Sequence, residues 1–260
     1  MNVKKTQTHH KYLEFFDRGY QIFDNVLSVS DTLEYKKNLH KVYQKQVSSF
    51  GLKNLETIHE ENMIRSPFLY DEGFQHIFYN DFTREVVRDI LGEHAILSLQ
   101  NAIVIPPQTS HHQGFYHRDI IYQEFVASIP LAINIYYCLD DYGETNGGTT
   151  FIPGSHRHER FDETMEAVTP CVKAGSAILF DSMVFHQAGT NSSNLSRCGI
   201  NNMYTLPFMK QQIDYPSALP MKPADLGLSR LLGYESQEHP TVDAFRQYRL
   251  HRQNNRKNEE

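Results

Sequence analysis

The chain has 260 residues, 40% of them hydrophobic, yet no apolar run nears the roughly 20 residues that cross a bilayer, which leaves a core-forming chain and excludes a helical membrane span. Its net charge of −6 comes from 25 basic and 31 acidic residues, with the basic ones scattered until a short tail from Arg249 to Lys257. That balance is unfavourable for the basic face a nucleic-acid partner needs, and the tail reads as a solvated, frayed end.

Cys138, Cys171 and Cys198 form no CxxC pair and are odd in number, so they read as reduced core thiols. Met1-Asn2-Val3-Lys4-Lys5 leads into polar residues where a signal peptide would carry an apolar stretch, and a cytoplasmic location is expected.

In chain order, residues 11–16 form a short helix and residues 19–23 alternate as a strand. Ser30 or Asp31 caps a longer helix to about Val47 with Leu33, Leu39 and Val42 on its apolar side. Apolar residues recur at helical spacing from Glu72 to Leu91, and Gly92 stops them. From Ala95 the texture changes to short β-rich runs at residues 96–100, 102–105, 131–139, 149–153, 176–180 and 198–206. Turn residues such as Asn146-Gly147-Gly148 and Pro153-Gly154-Ser155 separate them, the rhythm of a jelly roll or barrel. Helices over residues 223–232 and 241–251 close a single domain: a helical part to about residue 94, a β core over 95–206 and an extension over 207–260.

Phe115-Tyr116-His117-Arg118-Asp119 places an imidazole and a carboxylate two positions apart in extended sequence, hence on one face. A second imidazole, for which His186 is the candidate, completes two nitrogens and one oxygen on one side of a divalent iron, with the opposite side open. Arg197 enters the following strand, where its fork can hold the far carboxylate of a bound diacid.

With His117-x-Asp119, the segment from Asn146 to His156, and His186 followed by Arg197, the chain resembles the phytanoyl-CoA dioxygenase family of iron(II)/2-oxoglutarate oxygenases over residues 19–206. The resemblance implies a mainly β fold with flanking helices, a double-stranded β-helix of the jelly-roll, cupin-like kind. It implies His117, Asp119 and His186 as iron ligands and Arg197 as the 2-oxoglutarate anchor, with O2 as the other cosubstrate and succinate and CO2 as products. Gln100, Asn134 and Thr149 match polar cosubstrate contacts by position. Many relatives carry a small hydroxyl residue where Ala188 stands, so that contact shifts to Thr190 or Thr149. Related halogenases replace the carboxylate, so Asp119 favours hydroxylation or another C–H oxidation.

Tyr116, Arg118, Tyr122, Gln123, Tyr136 and Arg157 surround the expected open side and suit a small polar or amphipathic substrate. His111 and His112 read as solvated loop residues, and His156 and His158 as turn residues, all outside the ligand set. Residues 143–148 and 211–222 are candidate lids. No phosphate-cradling glycine loop marks a CoA-thioester binder, and no membrane or nucleic-acid partner is expected. The alternative is a cupin-like metal-binding isomerase or a non-oxygenase binding module, neither of which would need Arg197.

Overall fold

Gly19 ends helix α1 (Leu13–Arg18) with a left-handed φ of 85°, and a side chain there would collide with His156 and Val184. The computed structural model describes residues 10–259, with side chains as far as residue 254; the reading of residues 1–5 as free of a signal segment lies outside the described residues. After strand β1 (Tyr20–Phe23) comes helix α2 (Val29–Phe50). Its cap is Ser28, two residues earlier than expected: Ser28 Oγ accepts from Asp31 N at 3.1 Å, and the Asp31 carboxylate accepts from Ser28 N at 2.9 Å. Such a reciprocal cap is worth about 1 kcal/mol.

The buried stripe of α2 is Thr32, Leu39, Val42 and Gln46, while Leu33 is 59% exposed, because one position around a helix is a turn of about 100° off that stripe. Helix α3 (Leu52–Thr57) and strand β2 (Met63–Arg65) follow, neither signalled by periodicity in so few residues. The helical stretch from Glu72 is broken. Helix α4 (Gln75–Phe78) stops before Asn80, whose Oδ1 accepts from Thr83 N at 2.8 Å and starts helix α5 (Asp81–Leu91) afresh.

Strand β3 (Ile96–Ile105) runs unbroken through what composition split in two, with a register shift between Leu97 and Leu99. Strands β4 (Ala132–Cys138), β5 (Thr149–Phe151), β6 (Ala177–Asp181), β7 (His186–Ala188) and β8 (Arg197–Thr205) complete the core. They form an antiparallel six-stranded sheet in the order β1-β6-β4-β8-β3-β2, and a two-stranded sheet of β5 and β7.

Alternation along the large sheet builds two cores. Ile133, Ile135, Tyr137, Leu179 and Ile200 pack under the helices with Phe15, Leu39, Phe74, Phe78 and Val86. Their neighbours Tyr136, Cys138, Ile178 and Phe180 turn the other way, onto Phe151, Tyr142 and Val184. The stacked pair Tyr20 and Phe151, 4.6 Å between centroids, ties the two sheets together.

Helices α6 (Tyr215–Ala218), α7 (Leu226–Leu231) and α8 (Val242–Glu259) follow the sheets, α8 running well past the expected end at His251. Cys138 and Cys198 are buried free thiols as expected, whereas Cys171 is exposed. Among the described residues no helix is long and apolar enough to cross a membrane.

Candidate metal centre

His117 and His186 face each other as an antiparallel pair. His117 N donates to His186 O at 3.0 Å, and His186 N donates to His117 O at 3.1 Å. One strand step further, Asp119 N is held by Ser182 O at 3.0 Å, which returns the carboxylate to the same side. Each imidazole donates its Nδ1 hydrogen to the carbonyl two residues upstream, His117 to Phe115 O (2.9 Å) and His186 to Val184 O (3.0 Å). A carbonyl only accepts, so in the neutral ring Nδ1 carries the hydrogen and Nε2 is the free nitrogen facing inward.

The inward atoms converge. His186 Nε2 lies 3.7 Å and His117 Nε2 3.9 Å from Asp119 Oδ1, and the donor atoms of all three residues lie within 4.8 Å of one another. Two bonds of roughly 2.0–2.2 Å to a shared ion span at most about 4.4 Å, so both carboxylate–imidazole separations fit one metal. Burial lowers the pKa of His186, which keeps it neutral as a ligand must be. Asp119 Oδ2 is taken by Asn134 Nδ2 at 2.8 Å, leaving Oδ1 to the imidazoles.

His117, Asp119, His186 and Arg197 line one cavity of about 320 Å3. Arg197 is 2% exposed and has no acidic partner among the described residues. Its Nη1 donates to the hydroxyls of Tyr136 and Tyr142, both at 2.9 Å, and its Nη2 to Gly147 O. Its Nε is buried without a partner. Burial pushes both tyrosine pKa values up, so they stay neutral beside the cation. Gly199 makes room for this arrangement: a Cβ there would overlap Tyr142 Oη and Tyr136 Cε1.

The remaining expected residues divide. Thr149 lines the cavity directly across from Ala188, whereas Thr190 is not among its walls. Asn134 is fully buried and spends its amide on Asp119 and Ser182 Oγ. Gln100 does not reach the cavity. Leu99, Asn101 and Ile103 take that face of β3, and Gln100 points to the helices, donating to Phe74 O at 3.1 Å and accepting from Phe68 N at 3.1 Å.

Arg118 borders the cavity but donates to the backbone carbonyls of Met183 (2.8 Å), Glu159 (2.9 Å), Ser155 (3.0 Å) and His158, with Phe185 beneath it at 4.0 Å. Its fork pins the turn around Ser155. Tyr136 sits with Arg197, at the anchor end. Tyr116 stacks on Phe161, Tyr122 is 90% exposed, Gln123 folds back onto Phe125 O, and Arg157 pairs with Asp17 on the outer surface. Sequence reading missed Arg65, Asn101, Gln113, Asn201 and Gln212 on the cavity wall. No sequence signal marked Asn101, because the bulge of β3 that sets its face is not legible in composition.

His111, expected as a solvated loop residue, is buried, which lowers its pKa to about 4; His112 beside it is exposed. His156 accepts no metal position: its Nε2 lies against Phe16 O at 3.3 Å. The loop of residues 143–148 is tied down by Gly148 N to Gly143 O (2.9 Å) and by Arg197, and residues 211–222 are anchored by fully buried Tyr215.

Residues 15–199 match the phytanoyl-CoA dioxygenase (PhyH) family. The chain belongs to that family. This PhyH-family chain is 32% identical to an uncharacterized protein of Mycobacterium tuberculosis over 212 residues, 77% of this chain and 76% of that one. It is 27% identical to the dioxygenase olcK of Penicillium canescens over 195 residues, 70% of this chain and 61% of that one. The crystal structure of EctD from S. alaskensis with bound Fe aligns with a TM-score of 0.63 at 18% identity, over 76% of each chain. The fold is therefore the double-stranded β-helix, and the protein is an iron(II)/2-oxoglutarate-dependent oxygenase using O2.

Proposed function

We propose that His117, Asp119 and His186 hold iron(II), that Arg197 receives the far carboxylate of 2-oxoglutarate, and that the enzyme oxidises a C–H bond of a small amphipathic molecule in the cavity beside them. Two imidazoles and one carboxylate are the donor set of non-heme iron(II) oxygenases, and the inward Nε2 atoms and Oδ1 fit it. When bound, that metal supplies oxygen activation, with 2-oxoglutarate going to succinate and CO2, one oxygen atom to succinate and the other to the substrate.

The observation that carries this reading is the buried, unpaired guanidinium of Arg197. A buried cation without a counter-charge is strongly unfavourable, so the site is built for an anion. The hydrogens agree. Tyr142 donates to Tyr136 Oη at 3.0 Å, and Arg197 donates to both, so Tyr136 keeps its own hydroxyl hydrogen for a carboxylate, alongside Arg197 Nε. Thr149 is the hydroxyl placed to take the contact that Ala188 lacks. Arg197 and Tyr136 are buried, and bonds made to them in that low-dielectric surround are strengthened.

The substrate side mixes Asn101, Asn201 and Gln212 with Met63, Leu99 and Met203. Beyond it, Phe115, Ile121 and Phe125 stand exposed on the segment that carries His117 and Asp119. That mixture favours an amphipathic molecule. Anaerobic titration with iron(II) and 2-oxoglutarate tests the reading. A visible charge-transfer band is expected in the wild type and in no Arg197→Leu sample at the same concentrations; an equal band in both would remove Arg197 from the cosubstrate site.

A further inference from the structure

The polar wall beside the metal centre is a chain of three side chains whose hydrogens follow from one another. An ionised carboxylate only accepts, so the Asn134 atom 2.8 Å from Asp119 Oδ2 is the amide nitrogen, which also donates to Ser182 Oγ at 2.8 Å. That turns Asn134 Oδ1 toward Asn201, whose own nitrogen donates to it at 2.9 Å. The Asn201 carbonyl oxygen is therefore left over, buried and with no donor among the described residues.

Its neighbours are already committed. Asn201 pairs across the sheet with Asn101 and Tyr136. In the orientation that satisfies both its ends, Asn101 donates to Gln100 O and accepts from Arg65 Nη1, each at 2.8 Å. Tyr136 is turned to Arg197. A buried acceptor left without a donor is costly, and Asn201 stands on the wall of the cavity, on the β8 face it shares with Arg197 and Met203.

We propose that Asn201 is the substrate-positioning residue: its Oδ1 accepts a hydrogen bond from a neutral hydroxyl of the substrate, and so sets the oxidised carbon next to the ligand triad. The substrate class that follows is alcohols, as opposed to their ethers and parent hydrocarbons. A neutral amide oxygen offers an ammonium no counter-charge, so the donor it takes is an uncharged one. The proposal rests on the oxygenase reading of the same cavity and adds to it the group that is recognised.

The test uses the full chain loaded with 2-oxoglutarate and redox-inert zinc, and a matched probe pair, cyclohexanol and methoxycyclohexane, with dissociation constants read by saturation-transfer NMR. Cyclohexanol is expected to bind about tenfold tighter than the ether to the wild type, a ratio that falls to about one in Asn201→Leu. Equal affinities in the wild type, binding of neither probe, or a preference that survives in Asn201→Leu would each overturn the proposal. The comparison within the wild type needs no variant, so a misfolded Asn201→Leu does not spare it. 2-Oxoglutarate binding is followed in the same samples: its absence from the wild type would sink the cosubstrate reading itself, whereas its presence with no alcohol preference sinks the Asn201 assignment alone.

Discussion

His117 and His186 exchange both backbone hydrogen bonds, at 3.0 and 3.1 Å, although one lies in an irregular segment and the other on β7. The pair holds two imidazoles side by side, 4.5 Å between ring centroids. Asp119→Gly removes the carboxylate that faces both rings while leaving this backbone pair intact. Iron(II) or zinc affinity, measured by competition with a chelator, should fall by at least about 100-fold with little change in melting temperature. Stoichiometric iron in that variant would refute the ligand assignment.

Asn134 holds Asp119 Oδ2 and leaves only Oδ1 for the imidazole side. Asn134→Leu frees the second oxygen to compete for the metal. Metal affinity is expected to drop by about 10–100-fold, with 2-oxoglutarate affinity of the metal-saturated protein reduced far less. The reverse order of effects would put Asn134 in the cosubstrate pocket, where the sequence suggested it.

Gly199 lies between Arg197 and Asn201 on the cavity face of β8, under the rings of Tyr136 and Tyr142. Gly199→Ala forces those rings off Arg197. An increase of about tenfold or more in the 2-oxoglutarate dissociation constant is expected, with metal affinity unchanged, since the guanidinium loses the two hydroxyls that orient it. Calorimetric titration of each ligand separates the two effects.

Asp181, at the end of β6, has its pKa raised to about 6, chiefly by burial, with Met183 N donating to its carboxylate and Arg118 nearby acting the other way. A carboxyl whose pKa is higher folded than unfolded binds more protons in the folded state. Its contribution is full below the unfolded value near 4 and is lost as pH rises through about 6. Asp181→Asn should therefore gain stability relative to the wild type from pH 4 to pH 7, by on the order of 2–3 kcal/mol. Urea unfolding of both proteins across that window measures it, and a pH-independent difference would contradict the assignment.

Much of the site was legible without coordinates because its parts carry local signatures. A His and an Asp two apart in extended sequence share a face whatever the fold around them, and a lone Arg entering a strand after a His is readable as an anion anchor. The β-rich texture from Ala95 likewise announced a two-sheet core. Gln100 and Leu33 were misplaced for one reason: in a strand or helix one residue of offset reverses or rotates the face, and the bulge at Leu97/Leu99 and the Ser28 cap that set the offsets are too weak to read from composition.

The residue types and spacings, with the family resemblance they carry, determined the fold class and singled out the proposed ligand set and anchor. Which oxygen of Asp119 faces the imidazoles, which amide ends without a donor, and that Arg118 grips backbone while Tyr136 grips Arg197, only the tertiary structure decided. Those are matters of pairing between strands distant in the chain, and a hydrogen bond has no direction until its partner is in place.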